Sequence, residues 1–271
     1  RSGGNSDASS YRFDMTRVYP KKNLGQHFLK DRETARRIAD SLTGKGYGSV
    51  LEIGPGTGIL TNFLLKREFA DFRVIEIDNE SLHFLKENFP ELGNIIAGDF
   101  LKYDIDTSFA GKLAVVGNLP YNISSQILFK ILDHREKITE VVAMLQKEVA
   151  MRICSPPGSK VYGILSVLIQ AWYSAEFLFS VSNTLFSPPP KVQSGVIRLK
   201  RNDNQSIGCN ESLFVKVVKA GFNKRRKTLR NSLRYSFNLT NDDNPLLNLR
   251  PEQLSVEDFA GLTNWVEANS E

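Results

Sequence analysis

Short apolar runs punctuate the first half of the chain, and each one stops at a glycine or at a polar side chain. Val50-Leu51-Glu52-Ile53 runs into Gly54, Phe72-Arg73-Val74-Ile75-Glu76-Ile77 stops at Asp78, and Asn94-Ile95-Ile96-Ala97 stops at Gly98-Asp99. A fourth, Leu113 onward, stops at Asn118. Their length and their Val and Ile content predict strands at about 49–53, 72–77, 94–97 and 113–117. Between them the apolar positions recur at helical spacing. Asp31 is placed to cap a helix carrying Ala35, Ile38, Ala39 and Leu42 on one face. A helical stretch is predicted over 59–69. Strands alternating with helices argue for an α/β fold with a doubly wound parallel sheet. Further on, 138–146 predicts a strand leading into a helix through Ile153, and Pro156-Pro157-Gly158-Ser159-Lys160 ends that helix. A helical run over 164–171 precedes two β-rich segments, 174–181 and 193–199, which flank Pro188-Pro189-Pro190. The polar stretch 202–210 reads as a linker, so the sequence divides into an α/β domain over 15–201 and a small helical domain over 211–271. No internal repeat is visible.

With 271 residues, 41% of them hydrophobic, the chain can bury one good core and a smaller one. Charge changes the picture more than size does. The net charge is only +5, but Lys216, Lys219, Lys224, Arg225, Arg226, Lys227, Arg230 and Arg234 follow one another with no acid among them. On a helix they cannot share one narrow face, yet they form a broad positive surface suited to phosphates. Four such residues would read as a solvated helix face; eight without an acid favour RNA, with Lys224, Arg225, Arg226, Lys227 and Arg230 at the centre. Cys154 and Cys209 are too few and too far apart for a zinc cluster or a disulfide framework, and both are expected to stay reduced in a cytosolic protein. No metal site is expected. No run of about 18 apolar residues occurs, so no membrane span is predicted. Residues 1–14, rich in Ser and Gly and without an apolar core, read as a flexible tail or expression remnant ahead of a natural start at Met15.

The candidate chemistry lies at the strand ends. Gly54-Pro55-Gly56-Thr57-Gly58 follows the first strand as an E-x-G-x-G-x-G turn that brings backbone close to a nucleotide-like ligand. Glu76 falls 20 residues beyond Gly56, an offset suited to a carboxylate that accepts both ribose hydroxyls. Asp99 can accept from an adenine amino group while Phe100 and Ile77 sandwich the ring. Each acid also has a plainer reading, as a solvated strand end or a turn cap. Three such features at three successive strand ends favour a ligand site, because open α/β sheets bind ligands there. The fourth strand delivers Asn118-Leu119-Pro120-Tyr121. Taken alone this is a strand-ending turn. Beside a cofactor site it supplies what an amino group on a planar base requires. Such an amine is a poor nucleophile, and acceptors on both of its N–H bonds pull the nitrogen toward tetrahedral geometry. The Asn118 side-chain oxygen and the Leu119 carbonyl can be those acceptors; Pro120 stiffens the turn and Tyr121 can lie against the base.

These residues resemble the ribosomal RNA adenine dimethyltransferases, most closely the bacterial small-subunit branch. The matching segments are Lys21-Lys22-Asn23-Leu24-Gly25-Gln26-His27-Phe28-Leu29, the glycine turn, Glu76, Gly98-Asp99-Phe100, Asn118-Leu119-Pro120-Tyr121, Phe186-Ser187-Pro188-Pro189-Pro190-Lys191-Val192-Gln193-Ser194 and Phe222-Asn223-Lys224-Arg225-Arg226-Lys227-Thr228-Leu229-Arg230. One departure is His27, where many members carry asparagine. The resemblance implies a Rossmann-like seven-stranded methyltransferase domain with a small C-terminal all-α domain, and S-adenosylmethionine as cofactor. It also implies cofactor contacts from Asn23, Leu24, Gln26, Gly54, Gly56, Glu76, Ile77, Asp99, Phe100 and Asn118. The implied reaction is dimethylation at N6 of two adjacent adenosines near the 3′ end of small-subunit (16S) rRNA, on a partly assembled subunit, by a cytoplasmic monomer. Phe186, just before three prolines, is expected to be a partly exposed second wall for the extruded base, opposite Tyr121, although spacing alone fits a hydrophobic plug equally well. Stacking of that kind contributes about 1–3 kcal/mol per base. The alternatives are a large-subunit adenine methyltransferase of the antibiotic-resistance type and a mainly non-catalytic assembly factor. A nicotinamide-dependent dehydrogenase is disfavoured by the glycine spacing.

Overall fold

The structure, a computed structural model, describes residues 18–224, 227–234 and 236–270. The tail expected over 1–14 lies outside them, as do Arg225 and Arg226. In chain order the strands are β1 (Phe28–Leu29), β2 (Ser49–Ile53), β3 (Asp71–Glu76), β4 (Ile95–Ala97), β5 (Leu113–Asn118), β6 (Ile138–Gln146), β7 (Tyr173–Val181), β8 (Phe186–Ser187) and β9 (Ser194–Arg201). The helices are α1 (Arg32–Asp40), α2 (Thr61–Leu64), α3 (Asn79–Asn88), α4 (Ile105–Ser108), α5 (Ser124–Asp133), α6 (Lys147–Cys154), α7 (Ile164–Gln170), α8 (Glu211–Asn223), α9 (Leu229–Leu233) and α10 (Val256–Asn269).

Seven strands form one sheet in the order β4-β3-β2-β5-β6-β9-β7. Those from β4 to β6 run parallel, and β9 lies antiparallel between β6 and β7. The chain passes outward from β2 through β3 to β4, then returns to β5 on the other side of β2. That reversal opens a crevice at the carboxyl ends of β2 and β5, where an α/β sheet binds its ligand.

The apolar pattern explains why both faces of the sheet are covered. Successive side chains of a strand point to opposite faces. Leu113 and Val115 of β5 accordingly join Ile127, Leu128 and Ile131 of α5 on one side. Ala114 and Val116 join Ala35, Ile38 and Ala39 of α1 on the other. Asp31 caps α1 by accepting from Thr34 N–H at 2.8 Å, as its position in the sequence suggests. The buried Glu140 carboxylate ties the loop after α1 to β6 through Thr43 N–H and Thr43 Oγ1, the latter at 2.7 Å.

The stretch expected to be helical over 59–69 is shorter: one α-helical turn, α2, followed by a 3₁₀ turn over Leu65–Arg67. The tight glycine turn that feeds it carries an i→i+3 bond, Gly58 N–H to Pro55 O at 2.8 Å, and α2 itself opens with another, Phe63 N–H to Leu60 O at 2.9 Å. Glu68, at φ +51°, ends it. After β9 the chain turns helical, and Phe214, Val217, Leu247 and Phe259 pack into the same apolar cluster as Val167, Leu168 and Trp172. The Trp172 and Phe214 rings meet edge to face, 6.1 Å between centroids.

Candidate active site at the carboxyl edge of the sheet

β1 pairs with β8, Leu29 opposite Phe186, and Lys30 N–H donates to Leu185 O at 2.8 Å. This small ladder draws the segment before α1 across the crevice and roofs a cleft of about 270 Å³. The cleft is lined by Asn23, Leu24 and Gln26 from the roof, by Gly54 and Gly56, by the ends of β3 and β4, and by residues 118–123. Asn23 and Leu24 sit in a 3₁₀ turn that closes on Gly25 at φ +65°.

The glycine turn holds Gly56 at φ +56°, and a Cβ there would come within 2.8 Å of the Phe28 ring that packs over it. Glu76 is buried, 4% exposed. One of its oxygens accepts from Gly56 N–H at 3.1 Å, the other from Ile77 and Asp78 N–H at 2.8 and 2.9 Å. Burial pushes its pKa up, and the three backbone donors oppose the shift. A carboxylate has about four lone-pair positions, so the oxygen facing Gly56 retains capacity for a further donor. Glu52 lies deeper, 1% exposed, and accepts from Thr61 Oγ1 at 2.7 Å. Desolvation, with Glu76 adding repulsion, pushes its pKa up to about 8. Asp78 goes the other way: burial raises it, but donors from Lys21, Ser81 and Gln26 outweigh that and hold it below the usual carboxylate range. Gln26 is thereby fixed at both ends, since its oxygen accepts from Lys21 N–H at 2.8 Å.

Asp99 caps the 3₁₀ turn after β4, with Leu101 N–H donating to it at 2.9 Å, and it also lines the cleft. Ile77 is 51% exposed at the cleft wall, whereas Phe100 is almost buried, with the Lys130 ammonium 5.4 Å from its ring centroid. Asn118 donates from Nδ2 to the His27 carbonyl at 2.9 Å. That bond fixes which way the amide is turned and leaves Oδ1 as its acceptor end. Leu119 N–H donates to Met144 O at 2.9 Å, the Pro120 carbonyl accepts from Ile123 N–H at 3.2 Å, and the Leu119 side chain is buried. Tyr121 OH bonds Ser194 Oγ at 2.5 Å, and its ring stacks on His27, 5.6 Å between centroids and 28° between planes.

Phe186 corrects the sequence expectation. It is 1% exposed and packs with Leu29, Val181 and Val196, so it plugs the apolar cluster beneath the roof and does not face Tyr121. The pairing of β8 with β1 turns it inward, and sequence spacing carries no trace of that pairing. The ring that does face Tyr121 is His27. Sequence reasoning left its role open, and it missed Lys21 and Phe28 as well; all three lie in the roof segment, whose course depends on the same ladder.

Away from the cleft, Lys224 and Lys227 are exposed. Arg230 is not a solitary cation: it pairs with Asp242 and its guanidinium donates to Asn248 Oδ1 at 3.2 Å, while Arg234 reaches Asp242 at 2.8 Å. The run itself holds no acid, as read, but Arg230 and Arg234 are balanced by a carboxylate eight residues beyond Arg234. Among the described residues no group of three His, Cys, Asp or Glu side chains is arranged to hold a metal, and no helix is long and apolar enough to cross a membrane. Cys154 and Cys209 are free, and burial pushes both thiols up, Cys154 to about 12.

Residues 19–267 match the family described as ribosomal RNA adenine dimethylase. Among the similar proteins is the ribosomal RNA small subunit methyltransferase A of Cytophaga hutchinsonii, 55% identical over 93% of this chain and 99% of its own length. Among solved structures, a dimethyladenosine transferase from Plasmodium falciparum superposes with a TM-score of 0.72 at 25% identity, covering 89% of this chain and 97% of that one. The 23S rRNA methyltransferase ErmE superposes with a TM-score of 0.63 at 26% identity, covering 89% and 99%.

Proposed function

The chain belongs to the ribosomal RNA adenine dimethylase family, and on that premise we propose that it transfers methyl groups from S-adenosylmethionine to N6 of two adjacent adenosines near the 3′ end of small-subunit rRNA. The bound cofactor supplies an electrophilic methyl carbon on a sulfonium that leaves as a neutral thioether. Gln26, with Asn23, Leu24 and the backbone at Gly54 and Gly56, holds the methionine portion. Glu76 takes the ribose through its remaining acceptor position, Asp99 takes the adenine amino group, and Ile77 and Phe100 border the ring.

The observation that carries the reading is the Asn118 amide, anchored by its nitrogen to the His27 carbonyl and presenting its oxygen as acceptor. That oxygen and the Leu119 carbonyl accept the two N–H bonds of the target amine and stabilise the positive charge that grows on nitrogen during attack. Tyr121, held at both its hydroxyl and its ring, fixes the base plane. Positioning of this kind supplies several kcal/mol of the barrier. The amine releases its proton to water after transfer. Lys224, Arg225, Arg226, Lys227 and Arg230 bind phosphates of the subunit. The protein acts as a cytoplasmic monomer on a partly assembled subunit, with its methyltransferase domain over 15–201, the linker at 202–210 and an RNA-binding helical domain over 211–271.

The deciding experiment is methyl transfer from radiolabelled S-adenosylmethionine to unmethylated small and large ribosomal subunits, followed by nuclease mapping. Label is expected in dimethyladenosine of the small subunit. Label confined to the large subunit would favour the second reading, which the likeness to ErmE keeps in play. Binding without label would make the chain an assembly factor.

A further inference from the structure

Among the described residues, Tyr19, Ile77, Met151 and Val192 are the large hydrophobic side chains that stand out into solvent. Ile77 belongs to the cofactor wall. Met151 and Val192, 47% and 45% exposed, take no part in the chemistry above. They are brought to one edge by the end of the β6-β9 ladder. Gln146 pairs with Ser194, and the next rung is Lys147 N–H to Gln193 O at 3.0 Å. The Lys147 ammonium also donates to Gln193 Oε1 at 3.0 Å. Met151 follows Lys147 by one helical turn and shares its face of α6. Val192 and the exposed Lys191 immediately precede Gln193. The acid on this helix, Glu148, is paired with Arg152 at 2.8 Å.

This edge is continuous with the site. Its loop is pinned where His27 Nδ1–H donates to Pro188 O at 2.8 Å and where Asn183 Nδ2 donates to Pro190 O at 3.1 Å. Ser194, directly after Gln193, holds the Tyr121 hydroxyl. An exposed apolar side chain close in sequence to Lys191 and to the rung that holds Lys147, two residues from the Ser194 that holds Tyr121, matches the chemistry of an unstacked nucleotide. When one base is extruded its neighbour loses a stacking partner. Apolar and aromatic surfaces substitute for that contact while lysines take the phosphate.

We propose that Lys147, Met151, Lys191 and Val192 form a lip that seats the nucleotide next in the strand to the target adenosine, with its base against Val192 and Met151 and its phosphate between the two lysines. The inference rests on the RNA-methylating reading given above. It also accounts for how two adjacent adenosines can be served by one site, since one waits on the lip while the other is in the cleft.

The test uses the full chain with Val192→Asp, Met151→Asp and Lys191→Glu. All three side chains are exposed, so the fold and the cofactor site are expected to persist, checked by S-adenosylmethionine affinity. For both aspartate variants the KM for unmethylated small subunits is expected to rise about tenfold, because a carboxylate replaces the apolar contact to the base and repels the adjoining phosphate. For Lys191→Glu the slope of log affinity against log salt should flatten by about one. An unchanged KM in the aspartate variants overturns the lip. So does a raised KM on subunits combined with undiminished retention of protein-free rRNA on filters, which would give the face to a ribosomal protein. If the unmutated chain labels only large subunits, the small-subunit reading falls, and the same variants assayed on large subunits still decide the lip.

Discussion

Asn118 carries the heaviest chemical role, and its side chain is held by a single described bond to a backbone carbonyl. Asn118→Ala should leave S-adenosylmethionine binding near normal and lower methyl transfer at least about a hundredfold, the scale of losing one charge-stabilising group. Single-turnover kinetics with saturating cofactor measures this, and an unchanged rate would remove Asn118 from the mechanism. Phe186 belongs to stability instead. Emptying that buried position with Phe186→Ala should cost about 3–5 kcal/mol in denaturant unfolding. Glu52 gives stability a pH signature. Its folded pKa, raised to about 8, means the folded chain keeps a proton that the unfolded chain releases near its ordinary value of 4.5. The folded state then binds more protons between those values, so this group makes stability fall as pH rises across that window and level off above it. Glu52→Gln should remove that part of the slope, as read from unfolding free energies at several pH values.

At the scale of elements, the site depends on how closely β5 approaches β2. A Cβ on Gly117 would lie 2.5 Å from the Ile53 carbonyl oxygen, a backbone atom that cannot swing aside. Gly117→Ala should therefore push the two strands apart and destabilise by about 1–3 kcal/mol, as overpacking does. Cofactor affinity should weaken with it, because Gly54 follows directly on the displaced end of β2; calorimetry of S-adenosylmethionine binding checks this. Most elements were legible from the chain. Strands β2, β5 and β6 have apolar runs bounded by turn residues, and Asp31 marks a helix start that it does cap; the cap that Asp78 forms on α3 was not read. The 59–69 stretch was not legible, because its apolar periodicity is helical while the bonds of the glycine turn before it and Glu68 at its end restrict it to single turns.

At the scale of the whole molecule, among the described residues of the basic run, the charges of Arg230 and Arg234 are offset by an acid from outside it. Arg230 and Arg234 share Asp242, an exposed pairing of the kind that contributes little to stability yet lowers the positive field nearby. Substituting Arg225 and Arg226 together by Glu should weaken subunit binding and make its salt dependence shallower, by about one logarithmic unit of slope per lost phosphate contact. Arg230→Glu should weaken binding less, since Asp242 already neutralises part of that charge. Filter binding over a salt series compares them, and equal losses would argue against a role for Asp242.

The chain by itself determined the α/β class, the order of the seven strands of the main sheet along the sequence, the glycine turn, the acids at the strand ends and the Asn118-Leu119-Pro120-Tyr121 turn, because each is written in local spacing and backbone requirements. Tertiary structure alone decided what covers that turn. Phe186 turns inward, His27 stacks on Tyr121 and fixes Asn118, and Asp242 reaches Arg230, each through contacts between segments far apart in sequence or outside the run that was read. Such contacts are set by strand pairing and packing, and periodicity within one segment holds no information about which distant segment will lie against it.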